Sequence, residues 1–161
     1  MALAAVDQGT GVQSIRYGID GEVLQPYNEP FGFAESGIHQ LEYSASDHVN
    51  NTEAMRAVPI FVDVDVPQIE ISYSLEPLSD PGQGVVRILA ETILYIEAMD
   101  RHTEVDKITY RFDGGEEKLY RNPLSGFKAG RSVKLKVFAT DRLNNVAELS
   151  VTLQVETPSE P

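Results

Sequence analysis

The 161-residue chain contains no cysteine and no tryptophan, only three histidines, and 13 basic against 25 acidic residues. Without cysteine there is no disulfide framework, no thiol nucleophile and no thiolate metal site, so stability has to come from packing alone. The shortage of positive charge leaves a net charge of −12. Such a surface repels phosphate backbones and anionic lipid, which argues against nucleic acid as a partner. No apolar run approaches the roughly 18 residues of a membrane-spanning helix, so direct membrane insertion is not expected. Residues 1–7 lack the basic start and long apolar stretch of a signal peptide, and none is expected within this chain. A sustained 3.6-residue apolar stripe is also missing, which leaves no long amphipathic helix.

What the chain has in quantity is alternation at period two. Ile15, Tyr17 and Ile19 alternate with Ser14, Arg16 and Gly18, and Leu41, Tyr43 and Ala45 with Gln40, Glu42 and Ser44. Leu135, Val137 and Ala139 repeat the pattern, as do Leu149, Val151, Leu153 and Val155. This is the signature of half-buried strands, and it predicts an all-β protein. Asp20-Gly21 and Asp113-Gly114 supply residues that accept positive φ, as a type I′ hairpin turn requires. Asn50-Asn51 and Asn144-Asn145 stand where apolar strands end and suit turns closed by side-chain amides.

These features recur because the chain is duplicated. Ile15 to Gly21 returns as Ile108 to Gly114, 93 positions on, and Ala45 to Asn51 returns as Ala139 to Asn145, 94 positions on. A boundary is expected at Val66-Pro67, giving a first repeat over residues 1–66, a second over residues 67–156 and a Pro-rich linker-like tail over residues 157–161. The strand closing the first repeat is expected over residues 58–66. The second repeat also holds a breaker-rich loop at residues 77–84 and further strands at residues 68–74, 85–89 and 92–98. It has over thirty residues before Asp100, whereas the first has six before the matching Asp7, so the first repeat is expected to lack its opening strand. The copies differ in charge as well. Residues 1–66 carry 10 acids and only Arg16 and Arg56, while residues 67–161 carry 15 acids and 11 bases.

Each copy reads Ala-x-Asp, then Ile-x-Tyr-x-(Ile or Phe)-Asp-Gly, then Tyr-x-x-Pro, a Gly, and Ala-(Ser or Thr)-Asp-x-x-Asn-Asn. In residues this is Asp7, Ile15 to Gly21, Tyr27 to Pro30, Gly37 and Ala45 to Asn51, and again Asp100, Ile108 to Gly114, Tyr120 to Pro123, Gly130 and Ala139 to Asn145. The pattern resembles bacterial immunoglobulin-like repeats of surface proteins, in particular those of a spirochaete outer-membrane protein. It is similar, too, to the fibronectin-III-like module at the C-terminus of chitobiases. The chain departs from the family in carrying Asn-Asn where Gly-Asn is usual, and Leu124 stands in the second copy where Phe31 stands in the first. The resemblance implies two tandem immunoglobulin-like or fibronectin-III-like β-sandwiches, a bacterial extracellular or cell-surface location, and a spacer, adhesion or accessory role.

Catalytic chemistry finds little to work with. No Gly-x-Ser-x-Gly elbow occurs, and His39, His48 and His102 show no ligand spacing, so each is expected to be a solvated loop residue. Asp7, Asp47, Asp100 and Asp141 stand at strand ends, where Asp accepts backbone amides, and their recurrence suits turn capping. Of the aromatics Tyr17, Tyr27, Tyr110 and Tyr120, Tyr17 and Tyr110 share faces with Ile15 and Ile108, so core packing is expected in place of a sugar-stacking platform. Asp63 and Asp65 are the candidate ligands for calcium, which takes several oxygen donors; in a strand they share one face, with Glu53 and Asp80 as further acids nearby. The sequence thus predicts a non-catalytic structural or adhesive module, used for spacing, presentation or protein–protein contact, with a protein or a surface polysaccharide as partner. An accessory module of a secreted polysaccharide-degrading enzyme and a filament subunit assembled by strand donation are the alternatives.

Overall fold

The computed structural model describes residues 1–79 and 84–157, so Asp80, the tip of the breaker-rich loop and residues 158–161 of the tail lie outside the described residues. All regular structure among the described residues is strand. The chain divides into two compact units, Met1–Val64 and Asp65–Pro161, two residues from the boundary expected at Val66-Pro67.

The second unit is a two-sheet sandwich. Its strands are β5 (Gln68–Tyr73), β6 (Val85–Leu89), β7 (Leu94–Met99), β8 (Val105–Phe112), β9 (Lys118–Leu119), β10 (Ser132–Asp141) and β11 (Val146–Glu156). One sheet runs β6-β11-β10-β8-β9, the other is the antiparallel pair β5-β7, and β6 joins β11 in parallel. The alternation does what it forecasts. Leu135 and Val137 of β10 and Val151, Leu153 and Val155 of β11 turn inward against Val86 and Ile88 of β6 and Leu94 and Ile96 of β7, in one buried cluster. Tyr110 and Tyr120 pack edge to face against its margin, their ring centroids 6.4 Å apart. The Tyr120 hydroxyl accepts the Ile96 amide at 3.0 Å, so a buried polar group is satisfied while its ring fills space.

The first unit is a single sheet, β2-β1-β3-β4, built from β1 (Val12–Ile19), β2 (Gln25–Pro26), β3 (Gly37–Asp47) and β4 (Arg56–Val62). More is missing than one opening strand: none of β5, β6 and β7 has a counterpart strand among the described residues of this unit. The Phe31 amide donates to the Met1 carbonyl at 3.1 Å and the Met1 amino group donates to the Phe31 carbonyl at 2.5 Å. That reciprocal pair repeats the one between Leu94 and Leu124 in the second unit. Residues 1–6 thus stand where β7 stands, but have no β5 to form a ladder with. The consequence is visible in burial. Val137 and Ala139 are fully buried, whereas their counterparts Tyr43 and Ala45 remain partly exposed. Tyr17 stacks on Phe31 with centroids 4.3 Å apart and Leu41 is buried, so aromatic contact supplies much of the packing that a second sheet provides elsewhere.

Turn chemistry is shared by both units. Asp20 and Gly21 have φ of 53° and 81°, Asp113 and Gly114 of 50° and 73°, and the Glu22 and Gly115 amides close the turns onto the carbonyls of Ile19 and Phe112. These are the two consecutive positive φ values of a type I′ turn. The strand expected over residues 58–66 instead spans Arg56–Val62, because Val62 lies opposite Gly37, where β3 begins, and no partner extends beyond it. Pro59 sits within β4, an edge strand, where its missing N–H is tolerated.

Leu135 lies at the centre of the second unit's core with no exposed surface. Leu135→Ala is expected to lower that unit's stability by about 3 kcal/mol through lost burial and the cavity left behind. A drop below about 1 kcal/mol in urea unfolding would show that the two sheets do not depend on this contact.

Candidate functional site

Each unit carries a pair of aspartates joined by a threonine hydroxyl. In the first, Asp47 ends β3 and its Oδ1 accepts the amides of Val49 and Asn51, at 2.9 and 2.8 Å, while Oδ2 accepts the Asn51 side-chain amide at 2.7 Å. Asn50, at φ 69°, makes the turn that brings these donors round. Asp7 accepts the Gly9 amide on Oδ1 and the Gly11 amide on Oδ2. The Thr10 hydroxyl lies 3.2 Å from Asp7 Oδ2 and 2.9 Å from Asp47 Oδ2, bridging the two.

The second unit repeats this with one difference. Asp141 Oδ1 accepts the amides of Leu143 and Asn145 and its Oδ2 the Asn145 side chain, each at 2.8 Å. Thr103 again bridges, 3.3 Å from Asp100 Oδ1 and 3.2 Å from Asp141 Oδ2. Here, however, the His102 amide, the Thr103 amide and the Thr103 hydroxyl all converge on Asp100 Oδ1, and Asp100 Oδ2 is buried with no hydrogen-bond partner. Asp141 is only 1% exposed. The Thr103 amide leads in holding the Asp100 carboxyl below its ordinary value, against burial and the Asp141 charge. For Asp141 burial is the largest influence and pushes upward, yet the Asn145 side chain and the converging amides outweigh it and the net shift is downward. Both groups are therefore carboxylates near neutral pH.

The calcium candidates Asp63 and Asp65 do not share a strand face, since β4 ends before them. Asp63 is buried, with Oδ1 3.4 Å from the Ser36 hydroxyl, which itself accepts the Val64 amide at 2.9 Å. Asp65 is exposed and lies 3.2 Å from His102 Nε2. Glu53 faces Arg56 at 3.5 Å.

His39 is not a loop residue. It lies in β3, 17% exposed, with Nδ1 2.7 Å from Asp20 Oδ2 and Nε2 3.0 Å from the Glu35 carbonyl. Both ring nitrogens face acceptors, an environment that the doubly protonated ring satisfies best. The Asp20 hydrogen bond, followed by the Glu35 carbonyl, raises the His39 pKa above its ordinary value. The Gln40 amide, followed by His39, lowers that of Asp20. Pairing in the sheet sets this up: the Gln40 amide docks on Asp20 Oδ1, as the Lys134 amide docks on Asp113 Oδ1 in the second unit. The residue before Lys134 is Val133, so the ionic partner exists in the first unit alone.

The sign of the His39 effect is fixed by its direction. A raised folded-state pKa gives stabilisation that is complete below the ordinary histidine value of 6.5 and is lost as pH rises through the raised value. The lowered Asp20 contributes above its ordinary 3.8 and loses that contribution as pH falls through the lowered value. Asp20→Asn should return the His39 midpoint toward 6.5 in an NMR titration of its ring protons; an unmoved midpoint would assign the shift elsewhere.

No family model matches the sequence, and no curated protein matches it. Among solved structures the chain is similar to the fibronectin(III)-like modules of Clostridium thermocellum CbhA, at 15% identity over 94% of this chain and 82% of that chain, with a TM-score of 0.44.

Proposed function

We propose that the chain is a non-catalytic structural or adhesive module of a bacterial protein that works outside the cell or on its surface, where it spaces, presents or contacts a partner. The observation that carries this reading is what the duplicated residues do. Tyr110 and Tyr120 pack on the core margin, Asp20-Gly21 and Asp113-Gly114 make hairpins, and Asp47 and Asp141 cap turns with their following asparagines. The duplicated motif is thus spent on folding, as in modules strung in series. The resemblance of that motif to bacterial immunoglobulin-like surface repeats, including the spirochaete type, supports the location. Antibody against the chain should label intact cells of the source organism, and protease added to those cells should remove the signal. Labelling that appears only after lysis would overturn the placement.

A second reading, an accessory polysaccharide-binding module, is favoured by an open groove of about 710 Å³ in the second unit. Phe112 and Phe127 contribute to its lining together with Arg121, Lys128 and Arg131, a concentration of bases in an otherwise acidic chain. Aromatic surface beside guanidinium and ammonium groups suits a sugar polymer bearing carboxylates. In affinity electrophoresis, retardation by a uronate polysaccharide but not by a neutral glucan, lost in an Arg121→Ala/Arg131→Ala variant, is the expected outcome. Equal mobility in both gels would dismiss this reading.

A further inference from the structure

We propose that, within the contact role set out above and resting on it, the outward face of β3 and β4 in the first unit is the docking surface for a protein segment that presents apolar side chains flanked by lysine or arginine. On β3 Leu41 is buried, so alternation turns Ile38, Gln40 and Glu42 to the opposite side of the sheet. Their cross-strand partners on β4 are Phe61, Pro59 and Ala57, in that order, and paired residues share a face. Ile38 is 77% exposed and Phe61 53%, with Pro59 and Ala57 exposed beside them. Apolar side chains thus stand in water on a sheet whose other side carries the packing.

The second unit is the internal control. Leu135 answers to Leu41 in the duplication, and the pairs that flank it in the same register are Ser132–Gln154, Lys134–Thr152 and Lys136–Ser150. Every one of those residues is polar, so a sheet of this pattern folds without apolar groups on that side. Contiguous apolar surface that the fold does not need marks a contact site. The sign of charge differs as well, since Glu42 stands where the second unit has Lys136. An open depression of about 640 Å³ on the first unit takes Ile38, Pro59 and Ala57 into its lining, with Asp20 and Glu42 against His39. Arg16 of β1 donates to the Leu24 carbonyl at 2.8 Å, and residues 1–66 hold 10 acids against Arg16 and Arg56. The field over the face is therefore negative, which favours a basic partner and disfavours anionic lipid. Pro59 leaves the free edge of β4 short of a donor, so the sheet offers its face in preference to its edge.

The test uses the whole chain and a fluorescent amphipathic peptide of leucine and lysine, with the same peptide carrying glutamate in place of lysine as reference. In fluorescence anisotropy the lysine peptide is expected to bind at least about tenfold more tightly than the glutamate peptide. Ile38→Thr/Phe61→Gln should weaken the lysine peptide by about tenfold or more through lost apolar contact, and Glu42→Lys by about threefold through charge alone. Thr keeps strand propensity and Gln is the second unit's own residue at that position, so the double variant should melt within about 4 °C of the parent. A larger fall would assign Ile38 and Phe61 to the fold and overturn the proposal. Equal binding of the lysine peptide by parent and double variant would reduce the contact to general charge attraction, and equal binding of both peptides would remove the basic partner; either overturns it. Self-association in sedimentation velocity that the double variant abolishes would make a second copy the occupant and overturn it too. None of these results touches the surface location, which intact-cell labelling tests separately.

Discussion

A sheet with one apolar face is stable only when another layer covers that face, and the two units differ first in how they meet this requirement. In the second unit β5, β6 and β7 bring Val86, Ile88, Leu94 and Ile96 over the inward residues of β10 and β11, and the result is a dry core. The parallel pairing of β6 with β11 also explains why β11 runs to Glu156, whereas β4, paired on one side only, stops at Val62. In the first unit the same strand pattern meets residues 1–6 and an aromatic group of Tyr17, Tyr27 and Phe31. Length, burial and regularity in each half follow from the layer opposite.

The same requirement decides the chemistry of the aspartates. A carboxylate that caps a turn in water is ordinary, and the Asp7–Asp47 pair is of that kind. In the second unit Asp141 has almost no solvent, and its hydrogen bonds have to outweigh the cost of that burial. Burial, and not residue identity, sets the cost that the capping bonds must offset. This is why reading the repeated aspartates as caps is correct for their hydrogen bonds and incomplete for their electrostatics.

Legibility in the sequence divides along the same line. Alternation located the inward residues Leu135, Val137, Leu153 and Val155, and the Asp-Gly and Asn-Asn pairs located turns, because both depend on neighbours in the chain. Features that depend on a partner across the sheet were out of reach. The end of β4 is set by where β3 begins. Because β4 ends at Val62, Asp63 and Asp65 lose the shared face that a continued strand would give them. His39 reads as a solvated loop residue in the sequence; only the pairing of β3 against the Asp20 turn puts an acceptor at each of its nitrogens. The unpartnered oxygen of Asp100 is a matter of which oxygen three donors reach, and no sequence pattern encodes that choice.

Duplication makes the residues that differ more informative than those that agree. Positions held in common serve the fold in both units, so a contact specific to this chain has to use positions where the copies diverge. His39 against Val133 gives the first unit an ion pair in which Asp20 raises the histidine pKa from its ordinary value. Arg121, Lys128 and Arg131 place positive charge around an aromatic groove on the second unit, while the first unit carries only two bases in its expected span. Screening limits the reach of exposed charges to about a Debye length, roughly 8 Å at physiological salt, so this polarity acts at contact and not at long range. A partner recognised through it must touch the groove itself, and a neutral partner gains nothing from it. The fold is the part the two halves share, and selectivity has to come from the part they do not.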